Sequence, residues 1–188
     1  IVEPKNILDI ATGTGDLAIE ATRLNPKQII GIDISKEMLK VGEEKIKKKG
    51  LDSLIKLQYG DAEKLEFMNN SFDSVTAGFG VRNFQDLNRG LSEMLRVMKK
   101  GGKLAILEPS EPSYFPFKQC YNIYFKRILP WIGRMISKDS SAYTYLPESV
   151  ENFPKGKIFL SELKKAGFKN VKHTSLSFGV AALYTGTK

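Results

Sequence analysis

Three aspartates and one glycine loop carry most of the chemistry this chain could do. Asp9 lies in the apolar run Ile7-Leu8-Asp9-Ile10-Ala11, and Thr12-Gly13-Thr14-Gly15-Asp16 follows it. Asp33 closes Ile29-Ile30-Gly31-Ile32, and Asp61 stands in Gly60-Asp61-Ala62-Glu63 after a third apolar segment. Ile7 to Ala18 reads as strand, tight loop and helix, the opening unit of a nucleotide-binding α/β fold. Glycines at 13 and 15 let backbone approach a ligand with no Cβ in the way. A helix beginning near Asp16 aims its first N–H groups at that loop. Asp33, 20 residues after Gly13, suits ribose hydroxyls. Asp61 suits an exocyclic adenine amine, with the Ala62 N–H for a ring nitrogen. Gly13-Thr14-Gly15-Asp16-Leu17-Ala18 also fits the dinucleotide pattern G-x-G-x-x-G/A. A carboxylate at Asp9 would repel the diphosphate of a dinucleotide and favours a cationic ligand. The plain alternative is a strand-to-helix turn that binds nothing, and each acid alone could be a helix cap. Together, in this order at strand ends, they describe a ligand site.

The elements that must position these residues follow from periodicity. Strands are predicted over Asn6–Ala11, Gln28–Asp33, Leu54–Tyr59, Phe72–Phe79 and Lys103–Glu108, with helices over Asp16–Leu24, Ser35 to about Lys49, and Asp86–Met98. Ser35 caps the second helix and Gly50 stops it. Lys99-Lys100-Gly101-Gly102 reads as a turn. A helix over Ile158–Lys165 and two last strands, Lys169–Phe178 and Ala181–Gly186, complete the chain, the strands meeting antiparallel at Gly179. Strands alternating with helices give an α/β fold: a Rossmann-like, doubly wound, mostly parallel seven-stranded sheet with an antiparallel final strand. Residues 1–188 form a single domain, interrupted before the last two strands by a helical insertion over about 113–153. Within it, positions 117, 121, 124 and 128 fall on one helical face, and Pro130 ends or kinks that helix. The insertion either packs on its own domain, covers an apolar substrate, or lies on a membrane surface.

The formal net charge is +8. Lys45, Lys47, Lys48 and Lys49 contribute at a predicted helix end, where they complement the dipole and need no partner. No aromatic-basic RNA motif, basic tail or zinc spacing is present, so neither nucleic acid nor a metal is expected. Cys120 is the only cysteine, which points to a reducing cytoplasm. There is no secretory signal and no apolar run of transmembrane length. The chain opens directly on its first strand, so residues that normally precede such a strand are expected to be missing.

Leu8-Asp9-Ile10-Ala11-Thr12-Gly13-Thr14-Gly15-Asp16, Gly31-Ile32-Asp33-Ile34-Ser35, Gly60-Asp61-Ala62-Glu63 and Phe72-Asp73 resemble a class I methyltransferase dependent on S-adenosylmethionine (SAM). Ala11 stands where the first glycine of that loop pattern would be. More narrowly, Phe79-Gly80-Val81-Arg82-Asn83, Arg96-Val97 before Gly101-Gly102, Leu107-Glu108 and Ser149-Val150-Glu151-Asn152-Phe153-Pro154 resemble the ubiquinone/menaquinone biosynthesis C-methyltransferase family. Ala166-Gly167-Phe168 and the closing Gly179-Val180-Ala181-Ala182 through Lys188 are similar as well. Lys100 replaces a proline usual before Gly-Gly, and Tyr184 a frequent histidine. The family's N-terminal segment, whose tyrosine and tryptophan cover the cofactor, is absent from these 188 residues, and weak SAM binding or turnover is expected without it.

The resemblance implies ring-carbon methylation of a polyprenylated quinol, demethylmenaquinol or its benzoquinol counterpart in the ubiquinone pathway, with SAM as donor and no metal. It implies cofactor contacts at Asp9, Ala11, Thr12, Gly13, Gly15, Asp33, Ile34, Asp61 and Ala62. A ring carbon becomes nucleophilic when the neighbouring hydroxyl, of pKa about 10 as in tyrosine, loses its proton. Arg82, as an obligate cation just past strand four, is expected to stabilise that phenolate. The other reading of Arg82 is a structural salt bridge. Asn83 touches acceptor or holds its loop. Tyr143 and Tyr145 line the quinol pocket or pack in core or lid. His173 reads as a plain sheet histidine. Another hydrophobic acceptor (sterol or fatty acyl) and a non-catalytic nucleotide-binding module are the alternatives. A lipid quinol substrate implies contact with the inner face of the membrane, and a homodimer stays open.

Overall fold

A computed structural model of the chain describes residues 4–112, 115–123 and 149–188. In chain order the elements are β1 (Asn6–Ile10), α1 (Asp16–Ala21), β2 (Gln28–Asp33), α2 (Lys36–Lys48), β3 (Ile55–Tyr59), β4 (Phe72–Gly78), α3 (Leu87–Val97), β5 (Met98–Pro109), α4 (Phe117–Ile123), α5 (Lys157–Lys165), β6 (Lys169–Leu176) and β7 (Ala181–Thr187). The seven strands lie in the order β3-β2-β1-β4-β5-β7-β6. The β3-β2-β1-β4-β5 pairs are parallel, and β7 runs antiparallel to both β5 and β6. This is the doubly wound sheet with a reversed last strand that the sequence pattern implies. Its order reverses between β1 and β4, where such folds open a crevice at their carboxyl ends.

One face of the sheet carries Ile7, Ile29 and Ile55 against Ala18 of α1 and Ile46 of α2. The other carries Leu8, Ile10, Val75, Leu104 and Ile106, packed with Leu91 and Met94 of α3 and Phe159 and Leu163 of α5. The helices start where local chemistry starts them. Ser35 Oγ accepts from the Met38 N–H at the head of α2, and Asp86 Oδ1 accepts from the Arg89 N–H at the head of α3.

Several boundaries differ from expectation by a residue or two, β6 ending at Leu176 before a 3-10 turn over Ser177–Gly179, and two differ by more. The first helix ends at Ala21 and tightens into a 3-10 turn over Thr22–Leu24. β5 begins at Met98, because Met98 pairs with Phe72 before the register jumps to Ser74 opposite Lys103. The expected Lys99–Gly102 turn is therefore a bulge inside a longer strand. Tyr184 is buried, and its hydroxyl accepts from the Gly156 N–H at 2.8 Å, so this departure from the family pattern is a core position. His173 lies in β6 with its ring 5.0 Å from that of Tyr184. Of the 113–153 insertion, 117–123 and 149–152 are helical. Tyr124, Ile128, Trp131, Tyr143 and Tyr145 lie outside the described residues. Among the described residues no helix is long and apolar enough to cross a membrane.

Candidate active site

The carboxyl ends of β1, β2 and β4 and the segment after β3 border one cleft of about 780 Å³, toward the upper end of the roughly 300–1,000 Å³ of small-molecule sites. Its described lining includes six carboxylates, Asp9, Asp16, Glu20, Asp33, Asp61 and Glu63, and no Lys, Arg or His. In a chain of net charge +8, negative charge has been gathered at one place. The rest of the wall includes Leu17, Ile34, Met38, Phe79, Phe84 and Leu107.

The glycine loop sits on the acidic side. Ala11, Gly13 and Gly15 all have left-handed backbone, with φ of +52°, +56° and +79°, which explains why glycine suits the position that Ala11 holds. Met38 closes over Gly13: a Cβ there would stand 2.9 Å from Met38 Cε. Asp33 reaches back to the loop. Its Oδ2 accepts from the Gly13 N–H at 2.8 Å and its Oδ1 from the Ser35 N–H at 2.9 Å. A carboxylate has about four lone-pair sites, so two remain for a ligand. Asp61 Oδ1 accepts from the Glu63 N–H, and Glu63 Oε1 accepts from the Gln85 N–H, tying this turn to the loop before α3. Lys45 Nζ donates to Thr14 Oγ1 and to the Asp16 carboxylate, and that bond holds Asp16 below the usual carboxylate range.

Asp9 is fully buried at the floor. It accepts hydrogen bonds of 2.6 Å from both the Thr12 and the Thr76 hydroxyl. Burial pushes its carboxyl up to about 6; the two hydroxyls pull it back, and the nearby Asp33 charge adds to the rise.

The other wall is the segment between β4 and α3, and here the geometry differs most from the sequence reading. Arg82 Nη1 pairs with Glu108 Oε2 at 3.0 Å, with side-chain exposures of 11% and 0%. The same guanidinium donates to the Phe79 carbonyl and to Ser149 Oγ. Glu108 Oε1 also accepts from the Val81 and Arg82 N–H groups at 2.7 and 3.3 Å. Burial lifts the Glu108 carboxyl above its ordinary range, and the charge and hydrogen bonds of Arg82 work against that lift. Of the two readings of Arg82, the salt bridge is present, and Arg82 is not among the residues lining the cleft. Asn83 does line it, and its N–H donates to the Gly80 carbonyl. Asp9, Ala11, Thr12, Gly13, Asp33, Ile34, Asp61 and Ala62 share the cleft as the sequence suggested. Gly15 does not line it: it stands behind the loop as the N-cap of α1.

Four neighbours escaped sequence reasoning: Thr76, Met38, Phe79 and Glu108. Thr76 meets Asp9 only through the β1–β4 register. Met38 has a signal, a large apolar residue one turn after a strand-end acid. Glu108 sits in a recognised motif, but its partner is 26 residues away.

Fold and cleft together define a Rossmann-like protein with its ligand site at the carboxyl ends of the parallel strands. The fold is shared with the [4+2]-cyclase SpnF (TM-score 0.70, 20% identity, covering 97% of this chain and 75% of that one). It is shared too with Haemonchus contortus phosphoethanolamine N-methyltransferase 2, solved with S-adenosylhomocysteine (TM-score 0.69, 18% identity, covering 98% and 48%). The chain belongs to the ubiE/COQ5 methyltransferase family, which it matches over residues 1–188, and is thus a SAM-dependent methyltransferase. It is 49% identical over 186 residues to the demethylmenaquinone methyltransferase of Bacteroides fragilis, covering 98% of this chain and 76% of that protein. It is 45% identical over 184 residues to the ubiquinone/menaquinone biosynthesis C-methyltransferase UbiE of Geotalea daltonii, covering 97% and 78%.

Proposed function

We propose that this protein transfers the SAM methyl group to a ring carbon of a demethylated prenyl quinol, demethylmenaquinol in the first place and the related benzoquinol in the second. The observation that carries the reading is the cleft: six carboxylates and no cation on the described lining, joined to an apolar wall. Carboxylates suit a donor bearing both a sulfonium and an ammonium, and an apolar wall suits a lipid ring. The similarity to a relative named for demethylmenaquinone supports the naphthoquinol.

The residues fit the donor without a metal. The open lone pairs of Asp33 would take the ribose hydroxyls. Asp61 and the Ala62 N–H would take the adenine edge, with the exposed Ile34 and Met38 side chains on its faces. Bound SAM supplies an electrophilic methyl. What the protein contributes is alignment of that methyl with the acceptor carbon and exclusion of water from between them. Asn83, on the β4 side of the cleft, would hold an acceptor hydroxyl in this reading. With Glu108 against it, Arg82 is half of a neutral pair, so we give it a positioning role through the 79–83 loop. A prenyl quinol resides in a lipid bilayer, so this reading includes contact with a membrane surface.

The Asp9 carboxyl makes donor binding pH-dependent. A bound cation favours the ionised form, so binding drives a proton off a group that titrates near 6. SAM affinity is expected to be level above pH 7 and to fall below pH 6, by at most about tenfold per pH unit. Calorimetry between pH 5 and 8 should show this, with the slope abolished in Asp9→Asn. A flat profile in the wild type places Asp9 away from the donor.

The reaction itself is tested with labelled SAM and chemically reduced demethylated naphthoquinone, and separately a benzoquinol, with product mass as the readout. Methylation of the reduced form only is the expected result. SAM binding with no product from either quinol overturns the acceptor class.

A further inference from the structure

We propose that Phe79 is the aromatic platform on which the acceptor ring stacks, an inference that rests on the quinol reading above. Phe79 has a backbone φ of +59°, a region that bulky residues rarely occupy. Glycine would sit there without steric cost, and glycines stand on both sides of it, at 78 and 80. The ring is 46% exposed and lines the cleft instead of joining the core. A left-handed aromatic residue with its ring in a cleft carries both backbone strain and unburied apolar surface. Such strain persists only where the surroundings over-determine it.

They do so here. The Phe79 N–H donates to the Leu107 carbonyl at 2.7 Å, and the Phe79 carbonyl accepts from Arg82. Arg82 is itself fixed by the buried Glu108, which also accepts from the Val81 and Arg82 N–H groups of the same loop. Gly80 presses on Ala11 of the donor loop, so closely that a Cβ at 80 would stand 2.3 Å from the Ala11 Cβ. The ring is thus held one residue from the seam between the donor loop and the β4 wall. The carboxylates lie on the β1, β2 and β3 side, and Phe79 shares its side with Phe84, Leu107 and Asn83. A flat apolar face beside the amides of Asn83 and Gln85 is a surface that suits a planar hydroxylated ring.

The test compares Phe79→Leu, Phe79→Tyr and Phe79→Gly with wild type. The readouts are binding of a reduced short-chain prenyl naphthoquinone in the presence of S-adenosylhomocysteine, binding of SAM, thermal midpoint, and KM and kcat. Leucine keeps apolar bulk and loses planarity, so quinol affinity should fall roughly 3- to 10-fold and KM rise alike. Tyrosine should restore both to within about twofold. Glycine should lose affinity at least as far while its thermal midpoint holds or rises, because the left-handed backbone is relieved. SAM affinity should stay level throughout. Unchanged quinol affinity in the leucine variant overturns the proposal. So does a loss that follows the thermal midpoint, a loss confined to SAM, or a wild type that binds no quinol. Wild type that binds quinol through Phe79 without methylating it would uphold the platform and overturn the reaction; a methylating wild type indifferent to Phe79 does the reverse.

Discussion

Glu108→Ala is expected to lower folding stability by about 3–5 kcal/mol, the cost of breaking a buried ion pair from one side, and to abolish methyl transfer. The carboxylate is wholly buried, and its removal strands the Arg82 guanidinium together with the Val81 and Arg82 N–H groups. Arg82→Met alone should destabilise by a similar amount, by stranding the carboxylate. The paired variant Glu108→Gln/Arg82→Met keeps an acceptor for both N–H groups and removes both charges. It should recover most of the stability, since neutral replacement of a buried pair is often tolerated. If turnover stays lost in that stable double variant while SAM still binds, the pair serves the acceptor side of the reaction. Full recovery of turnover would reduce the pair to fold maintenance. Urea unfolding, a SAM titration and a methyl-transfer assay on the three variants decide between them.

Gly80→Ala should be strongly damaging for a single added methyl. The backbone at 80 is ordinary, with φ of −118°, so nothing local forbids alanine. The obstacle is the 2.3 Å approach to the Ala11 Cβ, which forces β1 and β4 ends apart. We expect about 1–3 kcal/mol of destabilisation and loss of turnover and SAM affinity, as the donor loop shifts. Ala11→Gly should rescue it. The next contacts of a Cβ at 80, to the Ala11 Cα and carbonyl oxygen, are ordinary at 3.7 Å. Ala11→Gly alone should be nearly neutral: relief of a left-handed alanine offsets the added chain entropy. A double-mutant cycle on thermal midpoint and SAM affinity measures the coupling; additive effects would mean the two positions do not interlock.

Much of this architecture was legible because its signals are local. The apolar run Gln28–Asp33 forms β2 with those bounds, and Ser35 caps α2 through its own side chain. Aspartates at strand ends fall together wherever strands are parallel and adjacent, so sequence order sufficed to gather Asp9, Asp33 and Asp61. What was hidden depends on register and on distant partners. Thr76 donates to Asp9 across 67 residues, and nothing in either segment announces it. Arg82 is visible as a cation near strand four, but its state is decided by Glu108 on another strand. β5 starts early because Phe72 offers Met98 a partner, whereas Gly101-Gly102 alone signals a turn. The left-handed Phe79 has no sequence signal, since aromatic residues avoid that conformation.

The one-sided charge of the cleft also bears on the direction of traffic. In the proposed reaction the donor enters with a sulfonium and an ammonium and leaves with the ammonium alone. The carboxylates of the cleft, Asp16 apart because Lys45 pairs with it, therefore attract what comes in more strongly than what goes out. Product inhibition is weakened by the same groups that capture the substrate. Salt should erode this preference, since screening acts on the extra charge first, so the ratio of product to donor affinity should rise with ionic strength.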